Sequence, residues 1–303
     1  MLTLERIPVA PAQIRRPDPE AARFCIGEPP KPEHVRITNS SFFRPMQLLP
    51  TSRRKALYAL FAFCGEVHGI AAGDTSRMLK LALLADRRAE VALLYAGRPQ
   101  HVVTRALRDA VNRFELPFDD FRLIIDGLEM DTRTDIWGPS LAQLDLYCER
   151  AAVAVGRIAL RIFGMAADDV ERVAAALGRG LQLTGILRDL AQDARRQRLY
   201  LPRELLHAHG IFATMPSYVL AQPALAQVCN VLAERAAAYF ADAEPMLETC
   251  SLWPMRPAAA ILSTYRTMLG ALLSCGWVRL DESVCSPGWR QMELLTVRGL
   301  TGR

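Results

Sequence analysis

Two aspartates, Asp189 and Asp193, stand four residues apart in the segment LTGILRDLAQDARRQRLYLP (183–202), which is otherwise rich in leucine and arginine. If the segment is helical, both carboxylates lie one turn apart on the same face. Gln182 and Gly185 extend this polar stripe toward the N-terminus. Aspartate pairs are common on solvated helix faces. If the stripe faces the interior of a bundle instead, each uncompensated ion costs several kcal/mol, so a cation must lie beside it.

The chemistry indicated by the buried alternative is a magnesium–diphosphate site. Mg²⁺ binds one or two protein carboxylates and completes its shell with water and phosphate oxygens. Arg188, Arg195, Arg196 and Arg198 lie at the same end of the segment and could bind diphosphate oxygens. In the alternative interpretation, these arginines are solvated at a helix C-terminus and complement the helix dipole. Spacing alone leaves both interpretations open.

The elements that must position these residues are helices. From about residue 50 to residue 275 the periodicity is helical, and strand-like alternation bounded by turn signals is absent. Glycine and proline mark the connections between the helices. The pattern predicts helices near 52–72, 76–95, 102–114, 118–130, 141–163, 168–195, 203–208, 223–249 and 255–275. The sequence therefore predicts an all-α, single-domain bundle over residues 34–275 without an internal repeat.

Composition limits the classes of function. Of the 303 residues, 51% are hydrophobic and 23% are charged, as in a globular protein with a sizeable core. The net charge of +5 arises mainly from arginine, which suits phosphate-bearing ligands or an anionic membrane surface. No nucleic-acid-binding motif is present, so we expect no nucleic-acid partner. Residues 1–33 hold seven of the 19 prolines and predict a flexible leader, and residues 276–303 form a polar C-terminal tail.

Cysteine spacing and hydropathy predict a cytoplasmic protein. The seven cysteines are scattered and never spaced as CxxC, which argues against a disulfide framework or a zinc site. We find no signal-peptide segment and no run of 18 uncharged apolar residues, so we expect no membrane-spanning helix. Peripheral contact with the inner face of a membrane stays open.

Several segments resemble one known family. LGRGLQLTGILRDLAQDARRQRLYLPRELL (177–206) resembles the second aspartate-rich signature of the squalene/phytoene synthases. LDLYCERAAVAVGRIALRIFG (144–164) is similar to the YCxxVAxxVG helix of that family, and SSFFRPMQLLPTSRRKALYALFAFC (40–64) to its opening segment. IDGLEMD (125–131) and RPAAAILSTYRTML (256–269) resemble one bacterial branch, the presqualene diphosphate synthases of hopanoid biosynthesis.

This resemblance implies an isoprenoid synthase bundle with a central cavity that condenses two farnesyl diphosphates head to head. It also implies Mg²⁺ held between two facing aspartate-rich helices, and diphosphate departure in an apolar chamber. The implied catalytic and metal-binding residues are Asp189 and Asp193, with Tyr147 contacting the diphosphate or shielding the cation. The implied substrate-binding residues are Ser41, Gln182, Arg188 and Tyr265.

The first aspartate-rich motif departs from the family pattern, which reads like CREVDDIAD. Here the segment is CGEVHGIAAG (64–73), in which Gly65 replaces the arginine and His68, Gly69 and Ala72 replace the carboxylates. Gly185 replaces an asparagine one turn before Asp189. We expect Mg²⁺ binding to be weakened or lost if this motif is absent. For His68 we expect a polar cap on the cavity or a hydrogen bond to one of the aspartates, and a softer metal is an alternative.

Three functional hypotheses follow from these departures. In the first, the protein is a presqualene diphosphate synthase whose remaining site still organises magnesium. In the second, it is an inactive relative that binds an isoprenoid or scaffolds an active partner synthase. In the third, it is a structural protein whose cavity has filled with side chains.

Overall fold

The computed structural model describes Met46, residues 49–249 and residues 255–277. Ser41, the 1–33 leader and all but the first two residues of the 276–303 tail lie outside these residues, so the predictions for them stay predictions. The described part forms eleven α-helices and one π-helical turn. The α-helices are α1 (Thr51–Ala72), α2 (Arg77–Tyr95), α3 (Val102–Phe114), α4 (Phe118–Arg133), α5 (Leu141–Cys148), α6 (Ala154–Phe163), α7 (Ala167–Arg195), α8 (Arg203–Ala208), α9 (Pro216–Leu220), α10 (Leu225–Glu248) and α11 (Arg256–Cys275).

The 29-residue helix α7 lies at the centre of the bundle and packs against α6, α10 and α11. Asp168 and Asp169 in its first turn favour the positive end of the helix dipole. Two glycines let neighbouring helices come close. A Cβ at Gly178 would lie 2.9 Å from the Cα of Val153, and one at Gly180 would lie 2.6 Å from the ring of Phe240. The long sequence motif therefore forms the central helix of the fold.

The predicted helix 141–163 contains an irregularity that its periodicity did not indicate. A π-helical turn, Glu149–Val153, separates α5 from α6 and packs against α4 and α7. Arg157 links the surrounding helices, since it donates hydrogen bonds of 2.6 Å to both Asp120 on α4 and Glu149. Turns of this kind are frequent at functional sites. Here the turn directly follows the helix that carries Tyr147.

The connection after α7 is fixed to the end of α4. Gln197 adopts a left-handed conformation with φ 58°, and its carbonyl accepts a hydrogen bond of 2.9 Å from Trp137 Nε1. Trp137 and Leu199 form an isolated parallel β-bridge, and the described residues contain no other β pairing. The short helix α9 was not predicted, because Pro216 was interpreted as a loop signal and instead begins the helix.

Within the described residues, one helix, α11, is long and apolar enough to cross a membrane when judged by length and composition alone. However, 44% of its most apolar window is buried inside the protein, and a core helix passes the same test. It packs against α7 and α10. The four described cysteines Cys64, Cys148, Cys229 and Cys275 are free, as the sequence predicts for them.

Candidate active site

A cavity of about 650 Å³ lies between α1, α4, α5, α6, α7 and α11. One part of its wall is apolar and includes Phe61, Ile124, Leu128, Val155, Leu160, Phe163, Ile186 and Ile261. The other part carries the polar side chains of His68, Asp131, Tyr147, Gln182, Arg188, Asp189, Gln192, Asp193, Arg196, Arg198, Tyr200 and Tyr265. The stripe on α7 therefore faces the interior. The solvated-face interpretation of the aspartate pair is wrong, and so is the hypothesis of a cavity filled by side chains, whereas Arg195 and Arg196 are exposed at the end of α7.

Asp189 is paired with its sequence neighbour Arg188. The guanidinium donates two hydrogen bonds, from Nε to Oδ1 at 2.7 Å and from Nη2 to Oδ2 at 2.5 Å. Burial acts to lower the pKa of Arg188, but the hydrogen bonds and the charge of Asp189 outweigh it, so that pKa is raised. Arg188 also hydrogen-bonds Tyr265, which lines the cavity on α11. The carboxylate of Asp189 is thus compensated within the protein.

Among the described residues, Asp193 forms no comparable ion pair, and its carboxylate is less favoured in the ionised form. Burial, and after it the carboxylates of Asp189 and Asp131, raise the pKa of Asp193 to about 6, although Arg198 and Arg196 act in the opposite direction. The two aspartates that look equivalent in the sequence therefore differ in charge compensation. A cation bound at Asp193 would relieve this repulsion.

The sequence motifs did not single out two further polar residues of the cavity, Asp131 and Tyr200. The hydroxyl of Tyr147 donates a hydrogen bond of 3.0 Å to Asp131 Oδ2, and the Tyr147 ring stacks on Tyr200 with centroids 5.2 Å apart. Asp131 Oδ1 is buried and has no hydrogen-bond partner among the described residues. Burial raises the pKa of Asp131 to about 6. Two sequence signals could have identified these residues: Asp131 is the last residue of IDGLEMD, and Tyr200 is the tyrosine of the YLP segment. The predicted helix 118–130 ended one residue before Asp131.

The departures on α1 leave that side of the cavity without a carboxylate in the described residues. A Cβ at Gly65 or Gly69 would meet nothing within 4 Å, and the same holds for Gly185 on α7. Glu66 points away from the cavity, because its carboxylate lies 3.3 Å from Arg87 and 3.5 Å from His101. Asp74 is exposed beyond the end of α1, and Ala72 is exposed in its last turn.

His68 is the polar residue that α1 contributes to the cavity wall. Burial lowers the pKa of its imidazole, and the nearby Arg198 and Arg196 lower it further. None of the hydrogen bonds among the described residues joins His68 to Asp189 or Asp193. The expected polar cap is therefore the role that fits its position, and the hydrogen bond to an aspartate is not observed.

The donor set fits a magnesium ion held from one side. Among the described residues, no group of three or more His, Cys, Asp and Glu side chains could hold a metal by itself. The Oδ1 of Asp131, which has no hydrogen-bond partner among the described residues, and the raised pKa of Asp193 indicate that these two carboxylates lack full compensation. Mg²⁺ needs one or two of them when phosphate oxygens and water supply the rest. Asp189 and Asp193 are the residues that would hold it.

The remaining predicted substrate-binding residues come together as expected where they are described. Gln182 and Tyr265 line the cavity with Arg188 and Tyr147. Ser41 lies outside the described residues, so its assignment stays a prediction. The assembled site offers an apolar wall, two helical carboxylates and several arginines. That combination can bind an apolar chain that ends in phosphate groups.

Comparison with known proteins gives consistent matches. A sequence model of the squalene/phytoene synthase family matches residues 35–289. A presqualene diphosphate synthase from Rhodopseudomonas palustris is 42% identical over 238 residues, which cover 78% of this chain and 85% of that protein. A presqualene diphosphate synthase from Sinorhizobium fredii is 40% identical over 248 residues, covering 81% and 88%.

Solved structures show the same architecture. The squalene synthase HpnC from Alicyclobacillus acidocaldarius aligns with a TM-score of 0.70 at 25% identity, covering 80% of this chain and 91% of that chain. A dehydrosqualene synthase in complex with ligand aligns with a TM-score of 0.73 at 24% identity, covering 87% and 92%. The second similarity concerns the fold alone. Both support the predicted all-α isoprenoid synthase architecture.

Proposed function

Because the chain belongs to the squalene/phytoene synthase family, we propose that it is a prenyltransferase that condenses two farnesyl diphosphates head to head into presqualene diphosphate. The observation that carries this proposal is the cavity, whose apolar wall and polar end match a prenyl chain and its diphosphate. Its volume of about 650 Å³ is in the range of small-molecule sites. A product of this kind would serve hopanoid biosynthesis.

The polar end would hold the diphosphates. Arg196 and Arg198 line it without an ion-pair partner among the described residues, so their guanidinium groups are free to bind phosphate oxygens bidentately. We propose that Asp189 and Asp193 hold magnesium, which when bound would neutralise the diphosphate and ease its departure. Arg188 keeps Asp189 oriented through two hydrogen bonds.

The apolar end would protect the allylic cation that diphosphate departure leaves behind. Side chains such as Phe61 and Phe163 exclude water from the chamber, so that the double bond of the second substrate attacks in place of water. The face of Tyr147 can stabilise a nearby cation. Its hydrogen bond to Asp131 and its stacking on Tyr200 hold the ring in one orientation.

Incubation of the purified protein with farnesyl diphosphate and Mg²⁺, followed by mass spectrometry, tests this function. We expect presqualene diphosphate to form and EDTA to suppress it. Asp193→Asn should reduce the rate on the order of 10²–10³-fold, as removal of one electrostatic contributor does. Asp86→Asn, on the exposed side of α2, is the matched control and should leave the rate unchanged.

One observation favours a second candidate function, the inactive relative. The α1 side of the cavity supplies no carboxylate, and the space beside Gly65 and Gly69 is open. This candidate predicts that a non-hydrolysable farnesyl diphosphate analogue binds while no product forms. The similarity to presqualene diphosphate synthases favours the enzyme, with turnover slowed by the missing residues.

We also propose that the protein is cytoplasmic and contacts the inner face of a membrane peripherally, since its substrate and product carry long apolar chains. The exposed side chains of Phe212 and Tyr218 support such contact. Co-sedimentation with anionic vesicles tests this. Loss of co-sedimentation in the double variant Phe212→Ser/Tyr218→Ser is expected, and unchanged co-sedimentation would contradict it. Association with a partner synthase stays a further proposal.

A further inference from the structure

A second concavity of about 300 Å³ adjoins the cavity, and we call it the outer pocket. Asp131, Arg196 and Arg198 line both spaces, so these three side chains form a shared wall. The outer pocket is completed by Arg77 and Lys80 at the start of α2, by Gln197, and by Thr132, Thr134, Asp135, Ile136 and Trp137 after Asp131. None of the sequence motifs pointed to it.

The outer pocket carries an excess of positive charge. Four cationic side chains, from Arg77, Lys80, Arg196 and Arg198, line it against the two carboxyl groups of Asp131 and Asp135. Arg77 is paired with Asp135 at 2.9 Å on the surface. Among the described residues, Lys80, Arg196 and Arg198 form no ion pair. Three cations thus share this concave space with one carboxyl group, that of Asp131, and the positive charge is in excess.

The wall that presents the two arginines is fixed in place. The left-handed Gln197 separates Arg196 from Arg198, and such a conformation in a non-glycine residue persists only where its surroundings hold it. Trp137 holds it through the hydrogen bond from Nε1 to the Gln197 carbonyl, 2.9 Å long. The backbone of Arg198 donates a further hydrogen bond of 2.8 Å to the Asp193 carbonyl. The arginines are therefore preorganised on the boundary between the two spaces.

We propose that the outer pocket binds inorganic diphosphate, the leaving group of the proposed reaction, after it has passed from the cavity across the Arg196–Arg198 wall. Guanidinium groups bind phosphate oxygens bidentately, and Lys80 adds a point charge. The pocket is lined mainly by polar side chains, so it suits a free diphosphate better than a prenyl chain. Its role as an exit site rests on the proposed function, whereas the binding itself does not.

Calorimetric titration with sodium diphosphate in EDTA tests the binding without catalysis. We expect Lys80→Ala, which removes a side chain of the outer pocket alone, to weaken binding at least tenfold. Lys55→Ala, at an exposed position of α1, is the matched control and should bind as the wild type does. Trp137 lines the pocket, so we expect diphosphate to change its fluorescence, and Trp137→Phe should lose this signal and also weaken binding, because it removes the hydrogen bond that holds Gln197. Thermal melts establish that each variant is folded.

Three results would overturn the proposal. The first is an absence of diphosphate binding in EDTA. The second is binding that falls with Arg188→Gln, a cavity residue, but not with Lys80→Ala, because the anion would then occupy the cavity. The third is Lys80-dependent binding of phosphatidic acid vesicles without any binding of free diphosphate, because the ligand of the outer pocket would then be a lipid headgroup.

The same measurements separate this proposal from the proposed function. Diphosphate binding that depends on Lys80, in a protein that makes no presqualene diphosphate, would support the pocket and contradict both the reaction and the exit role. Product formation without Lys80-dependent diphosphate binding would contradict the pocket alone. If both hold, Lys80→Ala should also alter inhibition of the reaction by added diphosphate.

Discussion

Asp189 and Asp193 lie one helical turn apart, yet their surroundings give them different tasks. Arg188 binds both carboxylate oxygens of Asp189 and so fixes that side chain. Asp193 has no comparable partner in the part of the chain that the structure describes, and it shares the polar end of the cavity with Asp131. A pair of this kind can hold a cation with one oriented ligand and one ligand in need of charge compensation.

We expect Asp193→Asn to raise the melting temperature of the metal-free protein at about pH 8 and to change it little at about pH 4. Burial and the Asp189 carboxylate raise the pKa of Asp193 to about 6 in the folded state, above the roughly 3.9 of an unfolded aspartate. The folded state therefore binds this proton more tightly, and its stability falls as the pH rises from about 4 through 6. Thermal melts in EDTA across this range measure the effect.

Asp86→Asn provides the comparison, since Asp86 is exposed on α2. It should not reproduce the pH-dependent difference. Equal melting curves for the wild type and Asp193→Asn at pH 8 would mean that Asp193 is compensated in the folded protein, which contradicts the electrostatic basis of the proposed magnesium site.

The packing of helix α7 requires glycine at position 178 but not at position 185. A Cβ at Gly178 would lie 2.9 Å from the Cα and 3.0 Å from the backbone nitrogen of Val153, whereas one at Gly185 would meet nothing within 4 Å. We expect Gly178→Ala to lower the free energy of unfolding by about 1–3 kcal/mol through overpacking. Gly185→Ala should raise it by about 0.5–1 kcal/mol, because alanine is the better helix former. Urea unfolding monitored by circular dichroism measures both.

Equal effects of the two substitutions would contradict this picture of the packing between α7 and the π-helical turn. Because both glycines lie on the same helix, differences in helix propensity largely cancel in the comparison. What is left is the contact with Val153.

On α1, restoring the family pattern should increase turnover. The quadruple variant Gly65→Arg, His68→Asp, Gly69→Asp and Ala72→Asp returns carboxylates to α1, where position 68 lines the cavity and the space beside Gly65 and Gly69 is open. We expect the rate of presqualene diphosphate formation to rise by at least about 10²-fold, the scale of one electrostatic contributor. Mass-spectrometric assays at saturating Mg²⁺ measure this.

A second variant with asparagine at positions 68, 69 and 72 keeps the side-chain size and lacks the charge, so it should not gain activity. If the quadruple variant folds and stays inert, losses elsewhere in the site limit the reaction, and Gly185 is the first position to restore.

Local patterns predicted the helices well, because each one carries its own periodicity and breakers. They also placed Asp189 and Asp193 on one face. They did not predict that Asp131 and Tyr200 join Tyr147, because these residues are far apart in the sequence and meet only through tertiary packing. The π-helical turn and the hydrogen bond from Trp137 to Gln197 depend on such long-range contacts as well.

For the whole molecule, the residues that build the fold are largely distinct from those proposed to bind metal and diphosphate. On α1, Phe63 and Val67 are buried in the core, while the changed positions Gly65 and Gly69 face open space. Loss of polar ligands there removes no apolar contact from the core. The cavity can therefore persist in a chain whose first aspartate-rich motif has changed.

Ligand binding should accordingly stabilise the whole bundle. A non-hydrolysable farnesyl diphosphate analogue at 100 times its Kd adds about 2.7 kcal/mol to the free energy of unfolding. We expect a raised melting temperature with the analogue and a larger rise when Mg²⁺ is present, because Asp189 and Asp193 would share the ion with the diphosphate. Farnesol, which has the chain without the phosphates, is the control and should shift the melting temperature less. Absence of any shift at saturating analogue would contradict both the enzyme and the isoprenoid-binding alternative, whereas an equal shift in Mg²⁺ and EDTA would assign diphosphate binding to the arginines alone.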